Sequence, residues 1–363
     1  MLKRLYVHNY KCLVNFEINF DKDISLFLGA NGSGKSTVFE VLTKLRRMIV
    51  GEEKVENIFD SRDSPRWLNL ENLEDTEVRF ELDVEIKDRT FRYLLILALG
   101  YFGDTSIKEE SLYSNNNLLL ESKDEKTVLS GSDQQFLFDD SRSSLIRNIQ
   151  GTEFLQYLRN FFIVRINPYE MVSTINKANA EVKTDFSNYA EWFAHLNEKN
   201  RREVSEFEKS MRDILPGFDY FIIQQAGQAK VLQVEFKNKA NKKDPINYYF
   251  NELSEGQKVL IALYALVYCA PEISLICIDE PENFLALPEI QPWFDTLYDQ
   301  CAERNLQALL ISHHPKIINF LASDSGYWFS RENNLTRIQK ISAENESGLS
   351  ISELVELGWI YDE

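Results

Sequence analysis

The stretch Gly29-Ala-Asn-Gly-Ser-Gly-Lys-Ser36 follows the pattern GxxxxGK[ST] and decides the fold. Before it, residues 24–28 form a short, mostly apolar run, as expected of a strand buried on both faces. After it, Val38, Val41, Leu42, Leu45 and Ile49 recur at helical spacing. Strand, glycine turn and helix make a βα unit. Glycines at such a turn let backbone amides point inward around phosphate oxygens, and the helix N-terminus adds partial positive charge. In that arrangement Lys35 reaches the outer phosphates and the Ser36 hydroxyl ligates Mg2+. With glycine near 7% of residues, the four fixed positions arise by chance in roughly one chain in a hundred. A nucleotide site is the expected use.

Outward from this unit, Phe16, Ile18 and Phe20 alternate with polar residues as in a half-buried strand. Residues 51–75 are a polar connection. Val78 to Ile86 alternates without a break and 90–99 is a second strand, together an antiparallel meander. Residues 103–150, rich in Ser, Asn and Asp, read as short strands joined by loops. Residues 185–215 read as helical, with Phe186, Tyr189, Phe193 and Leu196 on one face and Val204, Phe207 and Met211 on another. Leu232, Val234 and Phe236 alternate as a strand. From Leu253 the βα rhythm returns: a helix at 256–269, a buried strand at 273–278, a helix at 289–302 and a strand at 306–311. A short helix after Pro315 and a hairpin at 327–338 follow. The fold class is therefore α/β, with both ends sharing one sheet and a small helical lobe emerging from the middle. The expected divisions are 1–180, 181–220 and 221–363.

Two further motifs carry chemistry. Leu275-Ile-Cys-Ile-Asp279-Glu280 is an apolar strand ending in two carboxylates. Asp279 is placed to bind a metal directly or through water, and Glu280 to polarise an attacking water. Leu253-Ser254-Glu255-Gly256-Gln257 opens an apolar helix, where Ser254 is an N-cap and its hydroxyl and the exposed amides can also grip a phosphate.

These residues resemble a known family. Asn31 within GANGSGKS, LSEGQ at 253–257, LICIDEPEN at 275–283 and ISHHP at 311–315 occur in the order seen in ABC-type ATPase heads of the SMC/RecF/OLD-like branch. The resemblance implies an ATPase head with a mixed β-sheet, a β-meander and a helical lobe. It implies ATP and Mg2+ as cofactors, with Asn31, Gly32, Ser33, Gly34, Lys35, Ser36, Thr37, Ser254 and Gly256 on the nucleotide and Ser36 and Asp279 on the metal. It also implies a homodimer that sandwiches two ATP molecules, each between one subunit's Lys35 loop and the other's Ser254 turn. Glu280 would be the catalytic base and His313 the γ-phosphate switch, with His314 the alternative; residues 283–288 would meet their copy across the dimer. The family's metal-binding glutamine has three candidate positions here: Gln134, Gln135 and the region of Asn167. Lys11 sits where the family often has a basic residue near the nucleotide, and it reads equally well as a solvated lysine.

Composition narrows the class. The chain has 363 residues and a net charge of −17, with 44% apolar and 12% aromatic residues, which excludes a disordered protein. Such acidity is poorly suited to wrapping duplex DNA, and direct DNA contact is compatible with the sequence without being required by it. Cys12, Cys269, Cys277 and Cys301 form no CxxC pair, the histidines form no HExxH, and no signal-peptide pattern or bilayer-length apolar run occurs. A cytoplasmic protein is expected. The spacer between Ser36 and Ser254 is longer than transporters usually show and too short in helix for an SMC coiled coil. After His313 only a hairpin and a short acidic helix (Glu353, Glu356, Asp362, Glu363) are expected, with no nuclease. The acidic pairs Asp139-Asp140 and Glu109-Glu110 read as solvated loop; Lys237, Lys239, Lys242 and Lys243 read as a solvated hairpin tip, with nucleic-acid contact the alternative, and Arg201-Arg202 on the helical lobe has the same standing.

The function expected from this set is an ATP-hydrolysing dimeric switch that controls a separately encoded effector in prokaryotic anti-phage defence, of the Septu- or retron-associated type. The alternative is a RecF-like DNA-repair ATPase that binds DNA directly.

Overall fold

The computed structural model describes residues 1–51, 53–65, 77–99, 104–132, 135–238, 244–341 and 349–357. Its strands up to the helical lobe are β1 (Leu2–His8), β2 (Phe16–Asn19), β3 (Ile24–Gly29), β4 (Glu77–Ile86), β5 (Arg89–Ala98), β6 (Ser106–Ser114), β7 (Asn117–Lys123), β8 (Lys126–Leu129), β9 (Gln135–Leu137), β10 (Phe161–Val164) and β11 (Thr174–Ile175). Those after it are β12 (Phe218–Ala226), β13 (Ala229–Phe236), β14 (Ile246–Tyr249), β15 (Leu275–Asp279), β16 (Gln307–Ile311), β17 (Gly326–Glu332) and β18 (Leu335–Lys340). The helices are α1 (Lys35–Val50), α2 (Leu145–Asn148), α3 (Glu153–Arg159), α4 (Tyr189–Lys199), α5 (Arg201–Ile214), α6 (Glu255–Cys269), α7 (Leu287–Arg304), α8 (Pro315–Ser325) and α9 (Ile351–Leu357). Asp362 and Glu363 lie outside the described residues.

The central six-stranded sheet runs β10-β15-β16-β3-β17-β18, parallel except for β18. Strands β3, β15 and β16 read as apolar runs because both faces are covered. Leu26, Leu28, Ile276, Ile278, Ala308 and Leu310 pack with α6, α7 and α8. Phe27, Leu275, Cys277, Leu309 and Ile311 alternate with them and pack with α1, α3 and the meander. Register then fixes the site. Val164 pairs with Ile278, Asp279 with Ile311, and Ile311 with Phe27, so the carboxyl ends of β3, β10, β15 and β16 lie level at one edge. That edge is where open parallel sheets place ligands.

The meander is larger than its sequence suggests. An eight-stranded antiparallel sheet runs β2-β1-β4-β5-β6-β7-β8-β9, and it recruits β1 and β2 from the N-terminus. Residues 106–137 contribute four of its strands. The link β6–β7 is the two-residue turn Asn115-Asn116 and the link β7–β8 is Asp124-Glu125, all four residues having positive φ, as the favoured hairpin turns require. The four-stranded sheet of β11–β14 packs with α4 and α5, where Trp192, Phe193, Phe207 and Phe221 are buried. Of the aromatic run 248–250, only Phe250 is buried.

Glu109 and Glu110 do not lie in a solvated loop. Both sit on β6, and Glu110 is fully buried, accepting hydrogen bonds from Tyr93 Oη (2.9 Å), Ser143 Oγ (2.6 Å) and the Ser144 amide (2.6 Å). It thereby clips residues 143–144, after the last strand of the meander, back onto the sheet. Burial holds its carboxyl above the ordinary range, with the three hydrogen bonds acting against that rise. A carboxyl whose folded-state pKa is raised binds its proton more readily in the folded chain. Its contribution to stability therefore falls as pH climbs from the ordinary carboxyl range through the raised value. Glu110→Gln can accept from Ser144 and donate to both hydroxyls. In urea unfolding at pH 8 it should equal or exceed the parent by up to about 1 kcal/mol, and the difference should vanish near pH 4. Glu110→Ala should cost about 3 kcal/mol. A Gln variant that loses stability specifically at pH 8 would mean that the ionised carboxylate is the stabilising form.

Candidate active site

The phosphate-type loop is shaped by its neighbours. Gly29 has φ 134°, and a Cβ there would stand 2.1 Å from the Phe329 carbonyl oxygen on β17. Gly34, with φ 107°, precedes the first turn of α1, and a Cβ there would stand 2.3 Å from Thr336 Oγ1 on β18. Only glycine fits either place. The hairpin also holds the loop through Thr336 Oγ1, which donates to Ser33 O at 2.8 Å. Lys35 is buried and its Nζ donates to Gly29 O (2.7 Å) and Ala30 O (2.9 Å). Burial lowers its pKa, while Asp279 and Glu280 oppose that shift.

From the other end of the chain, β15 delivers Asp279, whose Oδ2 accepts from Ser36 Oγ at 2.9 Å. Burial raises the Asp279 carboxyl; the Ser36 hydrogen bond, Arg165 and Lys35 pull it down, and Glu280 adds to the rise. Glu280 takes a left-handed backbone, φ 56°, and its amide donates to Ile311 O at 2.8 Å. Its Oε2 accepts from Asn283 Nδ2 at 2.9 Å and pairs with Arg165 Nη2 at 3.3 Å. His313 is exposed at the rim, with its amide donating to Glu282 Oε1 at 2.7 Å. His314 is buried instead, neither ring nitrogen has a hydrogen-bond partner, and burial lowers its pKa.

A cavity of about 220 Å³ is lined by residues 31–37 together with Arg165, Asp279, Glu280, Ile311 and His313. It shares Arg165 and Asp279 with a wider cleft of about 680 Å³ that runs past Asn167 to Asn283 and Phe284. Ser254 and Gly256 are not in either. Ser254 is exposed and caps α6, accepting from the Gln257 amide at 3.3 Å, while Gln257 Oε1 accepts from the Ser254 amide at 3.0 Å. That capping box uses the hydroxyl oxygen as acceptor and leaves its O–H to donate outward. Gly256 backs onto the next loop, where a Cβ would come within 2.9 Å of Phe284 O.

Of the candidate glutamine positions, Asn167 lines the wider cleft, Gln135 starts the outermost strand of the eight-stranded sheet, away from the cavity, and Gln134 lies outside the described residues. Lys11 is not on the cavity; it pairs with Glu40 and, at 3.7 Å, with Asp63. Lys237 pairs with Asp219 at 3.5 Å, and Lys239, Lys242 and Lys243 lie outside the described residues. Arg165 escaped the sequence reading. Its one signal is that it follows the apolar run of β10, parallel to the acidic strand.

The residues present fit a magnesium nucleotide. The loop residues 31–37 line the cavity, the buried Lys35 ammonium is held by two loop carbonyls, and Ser36 with Asp279 offers hard oxygen donors. Ser36 and Asp279 are a donor set that suits Mg2+, which takes few protein ligands beside phosphate oxygens and water. Because burial disfavours the Asp279 charge, Asp279→Asn should stabilise the nucleotide-free chain at pH 8, raising its melting midpoint by roughly 2 °C. A lowered midpoint in thermal melts without metal would show that attraction to Lys35 and Arg165 outweighs the burial.

The fold is that of SMC-type ATPase heads. One similar solved structure is an SMC head bound to the C-winged helix domain of ScpA, with TM-score 0.55 and 14% identity over 94% of this chain and 98% of that one. Another is an Smc head domain with an extended coiled coil bound to the C-terminal domain of ScpA, from Pyrococcus furiosus, with TM-score 0.51 and 13% identity over 98% of each. A search of curated protein sequences finds no match. Residues 24–319, well over half the chain, match the family described as "AAA domain, putative AbiEii toxin, Type IV TA system". The chain, with its ATPase-type head, belongs to that AAA-domain family.

Proposed function

We propose that the chain binds ATP with Mg2+ in the 220 Å³ cavity and hydrolyses it, and that two copies close head to head around two nucleotides to control a separately encoded effector in anti-phage defence. The observation that carries this reading is the convergence of Lys35 and Ser36 with Asp279 and Glu280, from opposite ends of the chain, on one cavity. Lys35 and the amides of 31–37 would hold phosphates, and Ser36 and Asp279 the metal. Bound there, Mg2+ supplies charge neutralisation on the phosphates. Glu280 is set by its left-handed turn and by Asn283 to accept a proton from water, and His313 stands at the rim to donate toward an outer phosphate.

Ser254 is exposed and outside its own chain's cavity, so a phosphate gripped by its hydroxyl belongs to another copy. An acidic chain, in a family whose description names a toxin–antitoxin system, favours a protein partner over a nucleic acid one. Four free cysteines suit a reducing cytoplasm, and among the described residues no helix is long and apolar enough to cross a membrane.

Glu280→Gln should keep ATP binding, lose hydrolysis by about a hundredfold or more, and accumulate as a dimer on a sizing column. Normal turnover in this variant would remove Glu280 as base. Ser254→Arg should block ATP-driven pairing, and mixing it with Lys35→Ala should restore part of the activity, because one hybrid site then has an intact loop and an intact turn. Absence of rescue at every mixing ratio would exclude the shared site. Co-purification with the product of an adjacent gene, with partner affinity that differs between Glu280→Gln plus ATP and the nucleotide-free protein, tests the switch.

A further inference from the structure

The loop after β10 brings a guanidinium to the cavity that neither the glycine loop nor the acidic strand accounts for. Val164 pairs in register with Ile278, so Arg165 comes level with Asp279. Its Nη2 stands 3.3 Å from Oε2 of Glu280, the same oxygen that accepts from Asn283. The backbone beneath it is tied down: Arg165 N donates to Thr184 O at 2.7 Å and Asn167 N to Asp185 O at 2.9 Å. From below, the buried Lys258 on α6 donates through Nζ to Pro168 O at 2.8 Å. The Arg165 side chain, by contrast, is 64% exposed. It is a long arm on a fixed root.

An ion pair at that exposure is weak. A partner with more charge and more acceptor oxygens displaces it. A terminal phosphate is such a partner, because guanidinium forks onto its oxygens in charge-assisted bonds. Lys35 is different: its Nζ is pinned by the Gly29 and Ala30 carbonyls inside the loop, where it serves nucleoside diphosphates and triphosphates alike.

Resting on the reading of the cavity as an ATP site, we infer that Arg165 senses the terminal phosphate. It holds Oε2 of Glu280 in the nucleotide-free chain and exchanges that oxygen for the phosphate when a triphosphate is bound, so Glu280 is released only in the state that has a bond to hydrolyse.

Equilibrium binding of AMP-PNP and of ADP, each with Mg2+, to the full chain tests this without relying on turnover; melts without nucleotide verify that each variant is folded. Arg165→Ala should weaken AMP-PNP about tenfold and leave ADP within about twofold, and Arg165→Lys should recover part of the loss. Glu280→Gln frees the guanidinium and should tighten AMP-PNP severalfold, a gain that largely disappears in the Arg165→Ala background. Equal weakening of both nucleotides, or of neither, overturns the sensor while leaving the ATP site intact. A parent chain that binds neither nucleotide overturns the ATP site and the sensor together. Lys35→Ala is the reference for the site itself and should weaken both.

Discussion

One hydrogen bond, from Ser36 Oγ to Asp279 Oδ2, joins residues 243 positions apart, and the rest of the molecule is arranged to make it possible. It requires β3 and β15 to end at the same level, which the register through β16 secures. It also requires Asp279 to be buried; burial raises its carboxyl and is tolerable because Ser36, Arg165 and Lys35 face it. The order β15-β16-β3, with strands late and early in the chain interleaved, closes the two ends on each other and leaves the long middle to form the meander and the helical lobe. Burying β3, β15 and β16 on both faces makes that arrangement rigid, so the loops that follow β3 and β15 project from a fixed edge.

How much of this was legible in the sequence follows from how local each signal is. Ile24 to Ser36 and Leu275 to Glu280 are self-contained: an apolar strand, then a turn whose residue types admit few uses. Their joining in one sheet followed from the βα rhythm at both ends. The meander was half legible. β4 and β5 alternate cleanly, whereas 106–137 carry many polar residues because an antiparallel sheet tolerates a solvated face, and the turn signals Asn115-Asn116 and Asp124-Glu125 lack the glycine that usually marks them. Glu110 was misread for the same reason. Its neighbours are polar, and the partners that justify its burial, Tyr93 and Ser143, are brought in by pairing and by a later loop. Arg165 was invisible because an arginine after a strand has no spacing rule; only the register Val164–Ile278 gives it meaning.

The two histidines show how one residue of register divides roles. β16 is buried along its length, and the backbone that leaves it alternates, so His313 faces out to the cavity rim and His314 faces in. Burial lowers the pKa of the inward imidazole, which has no hydrogen-bond partner, while the outward one lines the cavity.

Helix α6 touches both loops that flank the cavity. It begins at Ser254, which does not line its own chain's cavity, and is buried over most of its circumference, which makes it a firmly held rod. Along that rod, Gly256 lies against the backbone of Phe284 in the loop that follows Glu280, and Lys258 reaches the carbonyl of Pro168 in the loop that follows Arg165. Just before it, Asn251 is bonded to Ser173 at 2.6 Å through the side chains. Both loops that meet at the Arg165–Glu280 pair therefore rest on the first turns of one helix. The pair those loops carry is itself exposed, so its strength rests on how well the two backbones are held rather than on burial. The close contact at Gly256 leaves no room for a side chain: a Cβ there would stand 2.9 Å from Phe284 O, so a larger residue would push the loop that follows Glu280 off the helix.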